Sequence, residues 1–466
     1  MGVWRVDTVR KAFVFLALSL LVVPLFAEKY SADEWKKLTA KFQNAITAGD
    51  SATFKEMSAA IAEDDSARAV DVLITAVARI SNVEDYDVLK NALASLKSTN
   101  AQNSLERYLQ KGTQPEARSL ILQVFAQLKD TKRIPLIAQI LKNRKENLMV
   151  AKACAEALGE IGDKSAVPHL IEFLEIVEKE RGDAPLRGTD WYEAVKALKK
   201  ITGVEYHTAA DWKKWLETTG GETQSQTKGD IKNPQTELAV PPSTPRFFGK
   251  EVVSRTPVFV IDTSGSMSEL QEVPVEEVEE AKRAIEKGWR TDPVQKDEKK
   301  QEPLKPPSGK TIKMPRIERA KLQLLKLIAM MDSGVKFNIV SYDIEVHIFN
   351  PSGMVYANDA NKEKAVKWVK ALTAQGTTHM DEGMEAAWKF VSEGCDAIYV
   401  LADGWPTHTG DPKRDGDILE EKILKFCRKH NFMKKVVVNT LGFKGAHRSF
   451  LKKLAGENGG TYKDIE

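Results

Sequence analysis

The sequence predicts two folded regions of different class: an α-solenoid, then an open, Rossmann-like α/β domain with a central, mostly parallel sheet. Three observations predict them. A helical stretch repeats itself at a shift of 33 residues within the first half. Short Val/Ile-rich runs alternate with helical stretches in the second half, as strands and covering helices do. Between the halves, residues 220–246 are rich in Gly, Gln, Thr and Pro and carry no apolar periodicity, which reads as a linker.

The chain has 466 residues, 42% hydrophobic and 29% charged, enough for more than one buried core. Its 69 basic and 66 acidic residues are mixed along the length and leave a net charge of +3, so no nucleic-acid-binding face is expected.

Residues 1–27, MGVWRVDTVRKAFVFLALSLLVVPLFA, place Arg5, Arg10 and Lys11 ahead of an apolar run that ends in a small residue, Ala27. This is the pattern of a signal peptide, and it predicts an extracytoplasmic protein, periplasmic or secreted. Leu25 stands where a small residue is usual, so an uncleaved N-terminal anchor is the alternative and the expected limit of membrane contact. No later run approaches the length of a membrane span. Cys154, Cys395 and Cys427 lack CxxC spacing and are odd in number, so no disulfide framework is expected.

Residues 28–219 read as helix after helix. ARSLILQVFAQLKDTKRIPLIAQIL (117–141) aligns with VAKACAEALGEIGDKSAVPHLIEFL (150–174), Pro135 falling over Pro168, and a weaker copy, SLKSTNAQNSLERYL, occupies 95–109. Units of this size bury their apolar faces only against their neighbours. AEALGEIGD and AVPHLIEFL resemble the HEAT repeat family over roughly residues 115–176, which implies a scaffold or partner-binding surface. His169 and His207 are isolated and read as surface or packing residues, and Trp212 and Trp215 as core.

Residues 247–466 contain the strand-like runs PVFVI, VKFNIVSYD, VHIFN, DAIYVLAD and KKVVVNTLGF, with helices expected near 316–332, 361–373, 381–393, 417–430 and 446–457. Ligands of such folds bind beyond the carboxyl ends of the strands. Asp262 follows one run that is too apolar to be exposed, and Asp403 follows another. Two carboxylates brought to one edge repel and need a cation or protons between them. Ser264 and Ser266 lie two and four residues beyond Asp262, and the loop GTTHMDEG adds Thr377 and Thr378. An all-oxygen set with few charges suits Mg²⁺, with Mn²⁺ or Ca²⁺ as alternatives. His379 and His408 lie close to two of these loops, but neither has a second histidine at ligand spacing, so a transition metal is set aside.

DTSGS, GTTHMDEGMEAA and LADGWPT together resemble the von Willebrand factor type A (VWA) domain over about residues 248–466. The resemblance implies a metal-ion-dependent adhesion site made by Asp262, Ser264, Ser266, Thr378 and Asp403, and it favours Thr378 over Thr377. It also implies that the bound cation docks an exposed Asp or Glu of a partner protein. The expected function is therefore metal-dependent protein binding, in adhesion or assembly, by a protein that is not an enzyme. One alternative is a scaffold that binds through its solenoid while the metal only stabilises. A metal-dependent hydrolase is the other. PPSGKT does not make a phosphate loop, because Leu304 stands where the leading glycine belongs, so no nucleotide is expected. TSGSMS does not match a serine-hydrolase elbow either.

Residues 269–315 interrupt the expected pattern between the serines and the next helix. The first part of this insertion sets Val275, Val278, Ile285 and Trp289 on one helical face, and the second is charged and Pro-rich. A lid, a partner contact and a solvated excursion are all compatible with that composition.

Overall fold

The computed structural model describes residues 29–182, 186–206, 208–220, 244–288 and 309–466. The segment 1–27, most of the linker, His207, Trp289 and the charged half of the insertion lie outside the described residues.

Eleven α-helices among the described residues build the N-terminal region: α1 (Ala32–Ala48), α2 (Ser51–Ala62), α3 (Ala67–Ala76), α4 (Val83–Ser95), α5 (Thr99–Lys111), α6 (Pro115–Gln127), α7 (Ile134–Lys142), α8 (Leu148–Ile161), α9 (Ala166–Arg181), α10 (Thr189–Thr202) and α11 (Ala209–Thr219). The two aligned copies fold as α6/α7 and α8/α9, and the weaker copy falls on α5. Local chemistry sets these boundaries. Ser98 and Asn147 cap α5 and α8 by accepting backbone N–H groups, and proline occupies the first turn of α6 and α7. One layer stacks α2, α4, α6, α8 and α10 in succession. Gly159 permits a close approach of α8 to α10, since a Cβ there would lie 2.9 Å from Ala197 Cα. A continuous core containing Phe42, Phe54, Phe125, Phe173, Trp191 and Trp212 runs through the stack, and Trp215 is buried as well.

In the C-terminal domain a small ribbon, β1 (Arg246–Phe247) with β2 (Lys250–Glu251), precedes β3 (Pro257–Asp262). There follow β4 (Leu270–Pro274), α12 (Val275–Gly288), β5 (Thr311–Pro315), α13 (Arg316–Met330), β6 (Lys336–Tyr342), β7 (Val346–Ile348), β8 (Val355–Tyr356) and α14 (Asp359–Ala371). The chain ends with α15 (Met380–Trp388), β9 (Ala397–Ala402), α16 (Pro412–Asn431), β10 (Val437–Gly442), α17 (Arg448–Glu457) and β11 (Tyr462–Asp464). The main sheet has the order β11-β10-β9-β3-β6-β7; its strands from β11 to β6 are parallel, and β7 and β8 join β6 antiparallel. β3 and β9 are buried along their whole length, as strands covered on both faces must be. Phe259 and Ile261 face one core while Val258 and Val260 face the other.

The first half of the insertion is structured. β4 and β5 form an antiparallel ribbon and α12 packs on α13. Val278 is buried while Val275 and Ile285 are half-buried, and Glu277 receives two hydrogen bonds from Arg319, at 2.6 and 2.8 Å. Helix α16 starts earlier than the apolar periodicity indicates because Asp411 caps it and Pro412 opens it. The edge strand β11 is too short to announce itself in sequence.

The two regions pack against each other. Gly188 N–H donates to Val253 C=O at 3.0 Å, Arg255 to Leu186 C=O at 2.8 Å, and Lys152 to Lys435 C=O at 3.1 Å. Thr189 and Ser254 both donate to buried Asp396. Phe432 and Met433 reach the solenoid core, Phe432 edge-on to Tyr86 at 5.8 Å, and Lys434 and Lys435 pair with Glu116 and Glu156. Val253, Asp396 and Lys435 all precede strands, so the solenoid attaches at the amino ends of the sheet.

Candidate metal centre

The chain passes from β3 to β6 on one side and from β9 to β10 on the other, so a topological switch point lies between the neighbours β3 and β9. Asp262 is the last residue of β3 and Asp403 follows β9, which brings both carboxylates to this point; they are 0% and 2% exposed. After β3 the chain enters a short 3-10 turn, Gly265–Ser268, that turns Ser264 and Ser266 back to the same place. Ser264 N–H donates to Asp262 Oδ1 at 2.8 Å, the two serine hydroxyls are 3.1 Å apart, and Ser266 donates to Asp403 Oδ1 at 2.7 Å.

The threonine loop is tied to this turn by Gly265 N–H donating to Gly376 C=O at 3.1 Å. Gly376 has φ +69°, and a side chain there would meet Ile344 at 2.8 Å, so both conformation and space require glycine. Thr378 is buried and exchanges two backbone hydrogen bonds of 3.0 Å with Thr407. Thr377 Oγ1 is buried and without a hydrogen-bond partner. The structure thus brings Asp262, Ser264, Ser266 and Asp403 into one hydrogen-bonded group, with the Thr378 loop clamped beside it.

Asp403 is fully engaged, Oδ1 by Ser266 and Oδ2 by Arg316 at 3.1 Å. Asp262 Oδ2, by contrast, is buried and accepts no hydrogen bond. A buried unpartnered carboxylate oxygen is costly unless a proton or cation meets it. Burial, with the neighbouring Asp403 charge, pushes the Asp262 carboxyl well above the usual carboxylate range. Burial raises Asp403 as well, against the hydrogen bonds from Ser266 and Arg316. An orphaned anionic oxygen among hydroxyls, with no thiol and no imidazole in the group, fits a hard divalent cation.

Sequence reasoning missed Arg316. Arg316 is 8% exposed, and its guanidinium also donates to Lys444 C=O at 2.7 Å. It stands at the start of α13, after the insertion, where no spacing connects it to Asp403. The ribbon β4/β5 springs from the same corner, with Arg316 N–H donating to Glu269 C=O and Leu270 65% exposed.

Residues 103–181 match the HEAT repeats family. The human von Willebrand factor A domain-containing protein 3A is 27% identical over 153 residues, 32% of this chain and 12% of that protein. Among solved structures, a von Willebrand factor type A protein from Catenulispora acidiphila is 15% identical, covering 45% of this chain and 38% of that one at a TM-score of 0.28. A point mutant of the PilB minor pilin from Streptococcus sanguinis is 12% identical, covering 45% and 57% at a TM-score of 0.30. The chain therefore joins a HEAT-like helical repeat region to a mostly parallel sheet domain similar to type A domains, and spans a small part of the curated relative's length.

Proposed function

We propose, taking the HEAT-like repeats and the type A fold as premise, that this is a metal-dependent protein-binding protein, acting in adhesion or assembly outside the cytoplasm. Asp262, Ser264, Ser266, Thr378 and Asp403 hold a divalent cation, Mg²⁺ by ligand character, and the cation receives an exposed Asp or Glu of a partner. The observation that carries this reading is Asp262 Oδ2, buried and unpartnered at the carboxyl edge of the sheet. Asp403 is already held by Ser266 and Arg316, so the unmet demand for positive charge rests on Asp262. The ion supplies the charge that a partner's carboxylate needs, and Arg316 keeps a fixed cation beside it. The solenoid attaches at the opposite edge, so its described residues do not cover the carboxyl edge.

Binding without turnover is part of the proposal. Calorimetric titration of Mg²⁺ and Mn²⁺, with acetate present to complete the coordination, tests it. Saturable binding at one equivalent in the native chain, lost in Asp262→Ala, is the expected result. Absence of saturable binding, or binding unchanged in Asp262→Ala, overturns it. Once a partner is in hand, the same substitution abolishes capture if the cation docks it and spares capture if the solenoid does.

A further inference from the structure

The threonine loop and the loop after β9 each contain a Thr-His pair, Thr378-His379 and Thr407-His408. The two threonines form an isolated antiparallel bridge, and this brings together histidines 29 residues apart in sequence. Their rings stack with centroids 3.9 Å apart and planes 27° apart. Glu382, in the first turn of α15, places Oε1 3.5 Å from His379 Nδ1, a nitrogen that is buried and has no hydrogen-bond partner. One ligand atom from each of His379, Glu382 and His408 lies within 4.8 Å of the others, against an edge of about 3.3 Å around a tetrahedral zinc. Small side-chain rotations of the two exposed residues, Glu382 and His408, close that gap.

Behind His408 stands Asp381, 1% exposed, whose Oδ1 is 2.9 Å from His408 Nε2 and whose Oδ2 accepts from Lys422 at 2.7 Å. A carboxylate that accepts a hydrogen bond from Nε2–H fixes the tautomer and leaves Nδ1 with the lone pair, the arrangement that supports metal-bound histidines. Two stacked imidazoles that shared a proton excess would repel, whereas a shared cation turns their closeness into attraction. We propose that His379, His408 and Glu382 form a second metal site, separate from the oxygen-ligated centre and selective for a transition ion of the zinc type, with Asp381 positioning His408. Two nitrogens and one carboxylate leave a coordination position open to water or to an added ligand.

The test uses the full chain, freed of metal by chelation and kept in excess Mg²⁺ so that the oxygen site is occupied. Co²⁺ is titrated and its visible absorption followed, then Zn²⁺ is added. Expected is absorption that saturates at one equivalent, is abolished by Zn²⁺, and persists in Asp262→Ala. His379→Ala and His408→Ala abolish it, Glu382→Gln at an exposed position weakens it at least tenfold, and Asp381→Asn weakens it about 10–100-fold. A chain that binds no Co²⁺ saturably overturns the proposal. So does binding that survives both histidine substitutions or is lost in Asp262→Ala alone.

Discussion

Two buried aspartates, one in each region, are handled in opposite ways. In the solenoid Asp190 is 2% exposed and is held by Arg144 at 2.8 Å and Arg181 at 3.2 Å. Burial pushes its carboxyl up, but the two guanidinium groups more than offset this and hold it below the usual range. In the C-terminal domain Asp262 is 0% exposed, keeps one oxygen without a partner, and is raised by burial and by Asp403. Asp190 is satisfied by the chain itself. Asp262 is left incomplete, at a cost to the domain that carries it unless a proton or cation meets it.

The sharpest way to break this contrast is to remove the acids. Asp190→Ala strands Arg181 in a buried site and is expected to destabilise the chain by about 3–5 kcal/mol in denaturant unfolding; a loss below about 1 kcal/mol would show that Asp190 is no better satisfied than Asp262. Next in size is the response to metal. Mg²⁺ at a hundred times its dissociation constant is expected to stabilise the C-terminal domain by about 2.7 kcal/mol. Asp262→Asn should abolish that gain and, in the absence of metal, make the domain more stable than the native one, as differential scanning calorimetry would record.

Phe432→Ala probes what joins the two regions. Its loss of the edge-on contact with Tyr86 is expected to cost about 0.5–1.5 kcal/mol and to separate the unfolding of solenoid and sheet domain into two transitions. A further effect is one of slope. Asp190 has a lowered folded value, so its contribution is present above about pH 4 and is lost as pH falls through that lowered value. The Asp262 and Asp403 pair has raised values, so its contribution is present below about pH 4 and is lost as pH rises through them. Metal-free chain should therefore lose C-terminal stability between about pH 4 and pH 7, and Asp262→Asn or Mg²⁺ should flatten the profile.

Much of the fold was legible because it is written locally. Asp262 and Asp403 each end an unbroken apolar run, which only a doubly covered strand tolerates, and alternate serines after the first announce the turn. The solenoid repeat showed itself by period alone, and its helix pairs fall where the two aligned copies lie. Arg316 was not legible, because the insertion separates it from the serines it supports and nothing in a helix start marks a guanidinium as directed at a distant carboxylate. Nor were the contacts of Asp396 with Thr189, or of Lys435 with Glu156, since each joins residues remote in sequence that only the folded chain brings together. Sequence spacing gives no reason to join His379 and His408. Their meeting depends on a single backbone bridge, and the repeated Thr-His pair was the available hint.

The docking of the solenoid at the amino ends of the strands has a mechanical consequence. A load applied between a partner held at the carboxyl edge and the helical arm runs along β3 and β9 instead of across them. The parallel ladders from β10 through β9 and β3 to β6 would then be stressed in shear, with many hydrogen bonds sharing the force at once, so that separating the strands requires breaking them together rather than peeling them apart one by one.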